Sequence, residues 1–127
     1  MNEKEFEQTV AIAFDRLPQW IRDKVRNVAV MVEDYVEQKT IDEMLLDSSM
    51  DLLGLYRGVP RTERTVAAGF EMPDTITLYR MPILEEADDS GKSVEDVVYE
   101  TLWHEIAHHF GLGEDDVQRR EGEEFGQ

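Results

Sequence analysis

Three side chains near the end of the sequence have the types and spacing of a zinc-hydrolase site. His104, Glu105 and His108 form the pattern H-E-x-x-H. On an α-helix, residues four apart lie one turn apart on the same face, so the two imidazoles can converge on one ion. Glu105 lies roughly 100° from His104 and roughly 60° from His108 around the helix, which disfavours it as a ligand but lets it reach a water. The pattern predicts Zn²⁺ on the two histidines and Glu105 as general base.

A third protein ligand is expected just beyond this helix. Gly111 favours the left-handed conformation that ends helices, so the chain can turn back toward the histidines after Phe110. The acidic residues Glu114, Asp115 and Asp116 follow that turn. Glu114 stands where the longer motif H-E-x-x-H-x-x-G-x-x-H has its last ligand. We favour Glu114 as the third zinc ligand, with Asp115 as the alternative.

We expect the aromatic residues and the third histidine beside the motif to have structural roles. We expect His109 to point away from the site, and Trp103 and Phe110 to lie in the core, as aromatic side chains usually do. An H-E-x-x-H pattern also arises by chance on amphipathic helices. The glycine and the acid at these offsets, together with helix-start residues upstream, favour metal binding over chance.

Composition limits the class of protein. The 127 residues allow one domain, residues 1–127, with one core. The 29 acidic and 13 basic residues give a formal charge of −16, which argues against nucleic acid as a partner because phosphate binding needs a basic surface. There is no cysteine, so disulfides and thiolate ligands are not available. No apolar run approaches the ~20 residues of a membrane span, and no secretory signal is visible. We therefore expect a cytoplasmic monomer without membrane contact.

Capping residues mark three helices. Asn2 and Glu5 predict the start of a helix that ends before Pro18, and Thr40 with Glu43 predicts a second capping box. Ser93 with Asp96 predicts the start of the helix that carries the histidines. Because apolar residues occur on nearly every side of that last helix, we expect it to be central and buried. Residues 20–25 suggest a short helix or turn.

Strand signals lie between these helices. Residues 28–32 are continuously apolar, which suggests a strand buried on both faces. Residues 52–60 indicate a strand that enters a glycine and proline turn. Residues 75–80 alternate between apolar and polar side chains and lie between two prolines, so we expect an edge strand. This edge either pairs with an extended peptide substrate or is an ordinary sheet edge without a ligand. Residues 85–92 are polar and suggest a flexible connection.

Three segments together resemble a known family, the small bacterial zincin-like metallopeptidases with a minimal matrix-metalloprotease-like fold. They are residues 104–111, residues 52–58 with 62–64, and residues 73–80, within a region from about 28 to 116. The resemblance implies an α+β zincin core, zinc on the two histidines and an acidic third ligand. We expect a small mixed sheet packed on a central H-E-x-x-H helix and on an N-terminal helix.

This sequence departs from that family in two ways. Glu114 stands where the family form ends its motif with aspartate, and Met81, the last methionine, precedes the motif, so the downstream methionine turn of full metzincin peptidases is absent. The leading hypothesis is a zinc metallopeptidase that acts on a peptide or protein substrate. The alternative is a non-catalytic, metal-stabilised binding module.

Overall fold

The fold combines helices and short strands in the residues that the computed structural model describes, 1–58 and 73–112. Within these ranges there are five helices and three strands. The helices are α1 (Glu3–Asp15), α2 (Gln19–Lys24), α3 (Gln38–Met44), α4 (Arg80–Ser90) and α5 (Val94–His109). The strands are β1 (Val28–Glu33), β2 (Gly54–Arg57) and β3 (Asp74–Tyr79). Helix α5 carries the H-E-x-x-H pattern and is called the motif helix.

The three strands form one mixed sheet in the order β1-β3-β2. Strand β1 is parallel to β3, and β2 is antiparallel to it, with Tyr56 opposite Ile76. Strand β3 therefore has a partner on both sides, and the prediction of an edge strand at residues 75–80 is wrong. The prolines do not interrupt the ladder because Pro73 precedes β3 and Pro82 lies in the first turn of α4.

Strand β1 is covered on one face. Val28, Val30 and Val32 pack against the core, whereas Met31, which points to the other face, is 48% exposed. The prediction of a strand buried on both faces is wrong, because a continuous apolar run does not itself bring a second layer to cover it.

The first helix begins as its capping residues predict. The Asn2 side-chain oxygen accepts from the Glu5 N–H at 2.8 Å, and the Asn2 N–H donates to the Glu5 carboxylate at 3.1 Å. Phe6, Val10 and Ala13 follow at helical spacing and are buried. This face of α1 packs against the motif helix. The predicted short helix after Pro18 is confirmed as α2.

The motif helix is the central element of the described fold. It starts where predicted, since the Ser93 hydroxyl accepts from the Asp96 N–H at 3.1 Å. It contacts α1, α4, β2 and β3. Its buried residues are Val97, Val98, Thr101, Leu102 and Ile106. A site on this helix is held by packing on several sides, as a precise site requires.

Two other local predictions are wrong. Helix α3 begins at Gln38, not at a Thr40 cap; the Thr40 hydroxyl instead accepts from the Arg57 guanidinium at 2.7 Å, and the side chain is buried. Most of the predicted connection at residues 85–92 belongs to helix α4. Pro82 is compatible with that helix because first-turn residues need no N–H donor.

The predicted fold class is confirmed. The described residues form an α+β domain in which a small mixed sheet packs on the motif helix, which in turn packs on the N-terminal helix. Within the described ranges, no helix combines the length and the apolarity needed to cross a bilayer.

Leu102 tests the contribution of the motif helix to stability. The side chain is fully buried in the core cluster, so Leu102→Ala should lower the free energy of unfolding by about 2–5 kcal/mol through lost burial and the remaining cavity. Denaturant titration measures the change. Leu45 is 88% exposed, and the same substitution there should cost no more than about 0.5 kcal/mol. Equal losses at the two positions would contradict this assignment of the core.

Candidate functional site

The motif helix brings three predicted site residues to one region of its surface. His104 and His108 are exposed, and Glu105 between them is half-buried. Among the described residues, neither the His104 nor the His108 imidazole has a hydrogen-bond partner. Both rings are thus accessible to an ion, and the carboxylate of Glu105 lies beside them.

The Glu105 carboxylate contacts the sheet through one backbone group. Its Oε1 accepts from the Tyr56 N–H of β2 at 3.2 Å. Burial raises the pKa of the Glu105 carboxyl above its ordinary value, while the Tyr56 N–H and the imidazoles of His104 and His108 oppose that rise by favouring the charged form. A raised pKa suits a group that must accept a proton and later release it near neutral pH.

The Tyr56 N–H faces Glu105 because of its position in the strand. The Tyr79 N–H donates to the Leu53 carbonyl, so alternate residues of β2 direct their backbone groups toward β3. Gly54 and Tyr56 are the intervening residues, and their backbone groups point to the outer edge of the sheet. This edge is the one beside the motif helix.

Gly54 allows β2 to approach the motif helix closely. A Cβ on Gly54 would lie 2.8 Å from the Thr101 Cγ2 atom and 3.3 Å from the Leu78 Cδ2 atom. Thr101 has little freedom to move, because it is buried and its hydroxyl donates to the Val97 carbonyl at 2.7 Å. The glycine is needed here for space, since its φ is not among the positive values of the described glycines.

The motif helix ends in the turn that the glycine predicts. Gly111 has a φ of 65°, in the left-handed region. The Gly111 N–H donates to the His108 carbonyl at 3.3 Å, and the Leu112 N–H to the Ala107 carbonyl at 2.8 Å. These two bonds form a Schellman motif, and Leu112 packs back against the core. The chain therefore reverses at the expected residue.

The predicted third ligand lies outside the described residues, as does its alternative. Glu114 and Asp115 both follow Leu112, the last described position. Within the described ranges, no group of three histidine, aspartate or glutamate side chains is arranged to hold a metal. Glu114 as a ligand stays a prediction.

Two clefts flank Glu105, and both are lined in part by Leu52. The first, of about 420 Å³, lies on the His104 side and carries the carboxylates of Asp51, Glu86 and Glu100. The second, of about 260 Å³, lies on the His108 side. Its other lining residues are largely apolar or aromatic: Met44, Leu55, Tyr56 and His109. The two sides of Glu105 therefore differ in character, with an acidic cleft on one side and a largely apolar or aromatic cleft on the other.

Two predictions about the residues beside the motif are wrong. His109 does not point away from the site; it lines the second cleft and stacks on Tyr56, with ring centroids 3.7 Å apart. Phe110 is 37% exposed, because it lies at the end of the helix where the chain leaves the core. Trp103 is half-buried and packs against the core as expected.

Tyr56 is a site residue that the sequence did not predict. Its contact with Glu105 uses the backbone N–H, which almost every residue type has, so the identity of the residue does not indicate the contact.

Zinc fits the donor set on the motif helix. Two imidazoles four residues apart on an exposed helix face are ligands that zinc accepts, and catalytic zinc sites combine such a pair with a third residue. Glu105 lies beside this pair and is held by its hydrogen bond to the sheet. Glu114 or Asp115 would supply the third ligand from beyond the Schellman turn.

Comparison with known proteins identifies the family of the chain. The family profile described as zincin-like metallopeptidase matches residues 25–123. The chain belongs to this family. Its fold is similar to the solved structure of a conserved hypothetical protein from T. thermophilus, with a TM-score of 0.58 and 24% sequence identity over 87% of this chain and 94% of that chain. No curated protein matches the chain. Family membership supports a metallopeptidase scaffold, and the structural likeness shows the fold alone.

Gly54 tests how β2 is held against the motif helix. Gly54→Ala should lower the free energy of unfolding by about 1–3 kcal/mol, because the new methyl group overlaps the Thr101 side chain. Thr101→Ser removes the Cγ2 atom and keeps the hydroxyl. In the Thr101→Ser background, Gly54→Ala should therefore cost clearly less. Denaturant unfolding of the two single variants and the double variant measures the coupling, and purely additive losses would refute the close contact.

Proposed function

We propose that this protein is a zinc-dependent peptidase that hydrolyses peptide bonds. His104, His108 and Glu114 would hold the ion, and Glu105 would act as general base. The observation that carries the proposal is the arrangement on the motif helix: two accessible imidazoles beside a half-buried carboxylate that the sheet edge orients. Membership of the zincin-like metallopeptidase family supports the same assignment.

Glu105 has the surroundings that general-base chemistry requires. When bound, zinc would act as a Lewis acid and would lower the pKa of a bound water to about 7. The Glu105 carboxylate would take a proton from the attacking water and return it to the leaving amine. Its burial raises the pKa and so favours accepting the proton, while the Tyr56 N–H holds one oxygen in place.

The outer edge of β2 is the surface that we propose for substrate alignment. Pairing with substrate, which was predicted for residues 75–80, is excluded for β3 because this strand has a neighbouring strand on both sides. Gly54 directs its backbone groups to the outer edge of the sheet and also lines the first cleft. An extended peptide could pair there through main-chain hydrogen bonds and place side chains in the two clefts beside Glu105.

Replacement of Glu105 tests catalysis separately from metal binding. Purified full-length protein should contain about one zinc per chain by elemental analysis, and it should cleave members of a peptide library. Because the first cleft carries three carboxylates, the library should include peptides rich in lysine and arginine. Glu105→Gln keeps the acceptor for the Tyr56 N–H but cannot take a proton, so it should retain zinc and lose at least about 100-fold in kcat.

The matched control is Glu85→Gln, the same change at an exposed position on α4. It should leave both zinc content and kcat unchanged. Full activity in Glu105→Gln would remove the assigned base. Stoichiometric zinc with no cleavage by the wild-type protein would favour the alternative, a metal-stabilised binding module. In such a module chelation lowers the melting temperature and no peptide is cut.

The identity of the third ligand has its own test. Glu114→Gln should weaken zinc binding by at least about tenfold, since a neutral amide is a poor zinc ligand, whereas Asp115→Asn should bind zinc like the wild type. Competition with a chromophoric chelator measures the affinities. The reverse pattern would assign the ligand to Asp115, and two unchanged affinities would exclude both.

A further inference from the structure

His109 lies next to the metal-binding pair and has no role in the proposed function. It is four residues after Glu105 on the motif helix, so the two side chains lie one turn apart on the same face. Both contact the same residue of β2. Glu105 accepts from the Tyr56 N–H at 3.2 Å, and the His109 ring stacks on the Tyr56 ring at 3.7 Å with an interplanar angle of 14°. The motif helix thus contacts both the backbone and the side chain of Tyr56.

The far end of the Tyr56 side chain is also held. Its hydroxyl donates to the Asp74 carboxylate at 2.9 Å, and Asp74 is the first residue of the central strand β3. The His109 Nε2 atom lies 4.0 Å from the same carboxylate oxygen. The ring of Tyr56 is therefore confined between the motif helix and the central strand, which limits how far its backbone can move.

We propose that His109, Tyr56 and Asp74 form a positioning unit for Glu105. The stack and the hydroxyl bond fix the Tyr56 side chain, and the fixed residue presents its N–H to the Glu105 carboxylate. His109 is a positioning residue in this arrangement and is not a metal ligand. The catalytic consequence rests on the proposed function of Glu105, but the structural link from His109 to the Tyr56 N–H does not.

The structural link is tested by amide hydrogen exchange of the metal-free, full-length protein. The Tyr56 N–H faces the outer edge of the sheet, so its protection should depend on Glu105. In Glu105→Ala and in His109→Ala, exchange at Tyr56 should accelerate about tenfold, as expected for loss of one hydrogen bond. Exchange at Leu55, whose N–H faces β3, should stay unchanged. His109→Phe keeps a flat ring for stacking and should restore the slow exchange.

Two matched variants test the hydroxyl bond. Tyr56→Phe keeps the ring and removes the donor to Asp74, so exchange at position 56 should accelerate. Tyr35→Phe, the same change at an exposed tyrosine, should leave exchange at position 56 unchanged. Should His109→Ala fail to fold, the Tyr56→Phe and His109→Phe proteins still decide the matter. Unchanged exchange at position 56 in the folded His109→Ala or Tyr56→Phe protein overturns the proposal, as does an equal acceleration at Leu55.

The catalytic consequence is measured on the zinc-loaded protein. His109→Ala should lower kcat by about 10- to 100-fold at unchanged zinc content, because a misplaced base loses near-attack geometry. His109→Phe should recover most of that loss, which would not happen if His109→Ala acted by removing a metal ligand. Zinc loss in both His109 variants would make His109 a ligand and contradict the proposal. If the wild-type protein cleaves nothing, the proposed function fails, while the exchange experiment still judges the positioning unit.

Discussion

The hydrogen bond from the Tyr56 N–H to the Glu105 carboxylate joins the edge of the sheet to the motif helix. It forms because Gly54 lets β2 lie against Thr101 without a Cβ between them. Glu105 lies between the two clefts at this contact, and the burial of its carboxylate raises its pKa. The position and the burial of the candidate base therefore depend on a close contact between a strand and a helix.

The sequence predicted those features that depend on local chemistry. Asn2 and Ser93 cap helices because their side chains satisfy free N–H groups within the same turn, and Gly111 ends the motif helix because it takes a left-handed conformation readily. The central position of the motif helix also follows from its sequence, since apolar residues on nearly all sides require packing on nearly all sides. His104, Glu105 and His108 share one region of the surface through helical spacing alone.

Features that depend on distant partners were not predicted. The order of the strands is set by which segments pair, so the prolines around residues 75–80 suggested an edge where the sheet has its centre. Tyr56 contacts Glu105 through its backbone N–H, and His109 stacks on the ring of Tyr56, which belongs to a strand that is distant in the sequence. Neither contact has a spacing that a single sequence reveals. The prediction for His109 was wrong because its position on the helix does not show that a strand with an aromatic residue lies beside it, and the prediction for Phe110 was wrong because the chain leaves the core at that residue.

We propose that His104 and His108 hold zinc together with an oxygen ligand, while His109 lies on the sheet side of the site. X-ray absorption at the zinc K edge of the loaded, full-length protein tests this directly, because it distinguishes imidazole from carboxylate ligands around the ion. We predict two imidazole nitrogens at about 2.0–2.1 Å, with oxygen donors completing a shell of about four. A shell with three imidazoles would place His109 on the metal and contradict the account, and a shell with one would contradict the pairing of His104 with His108.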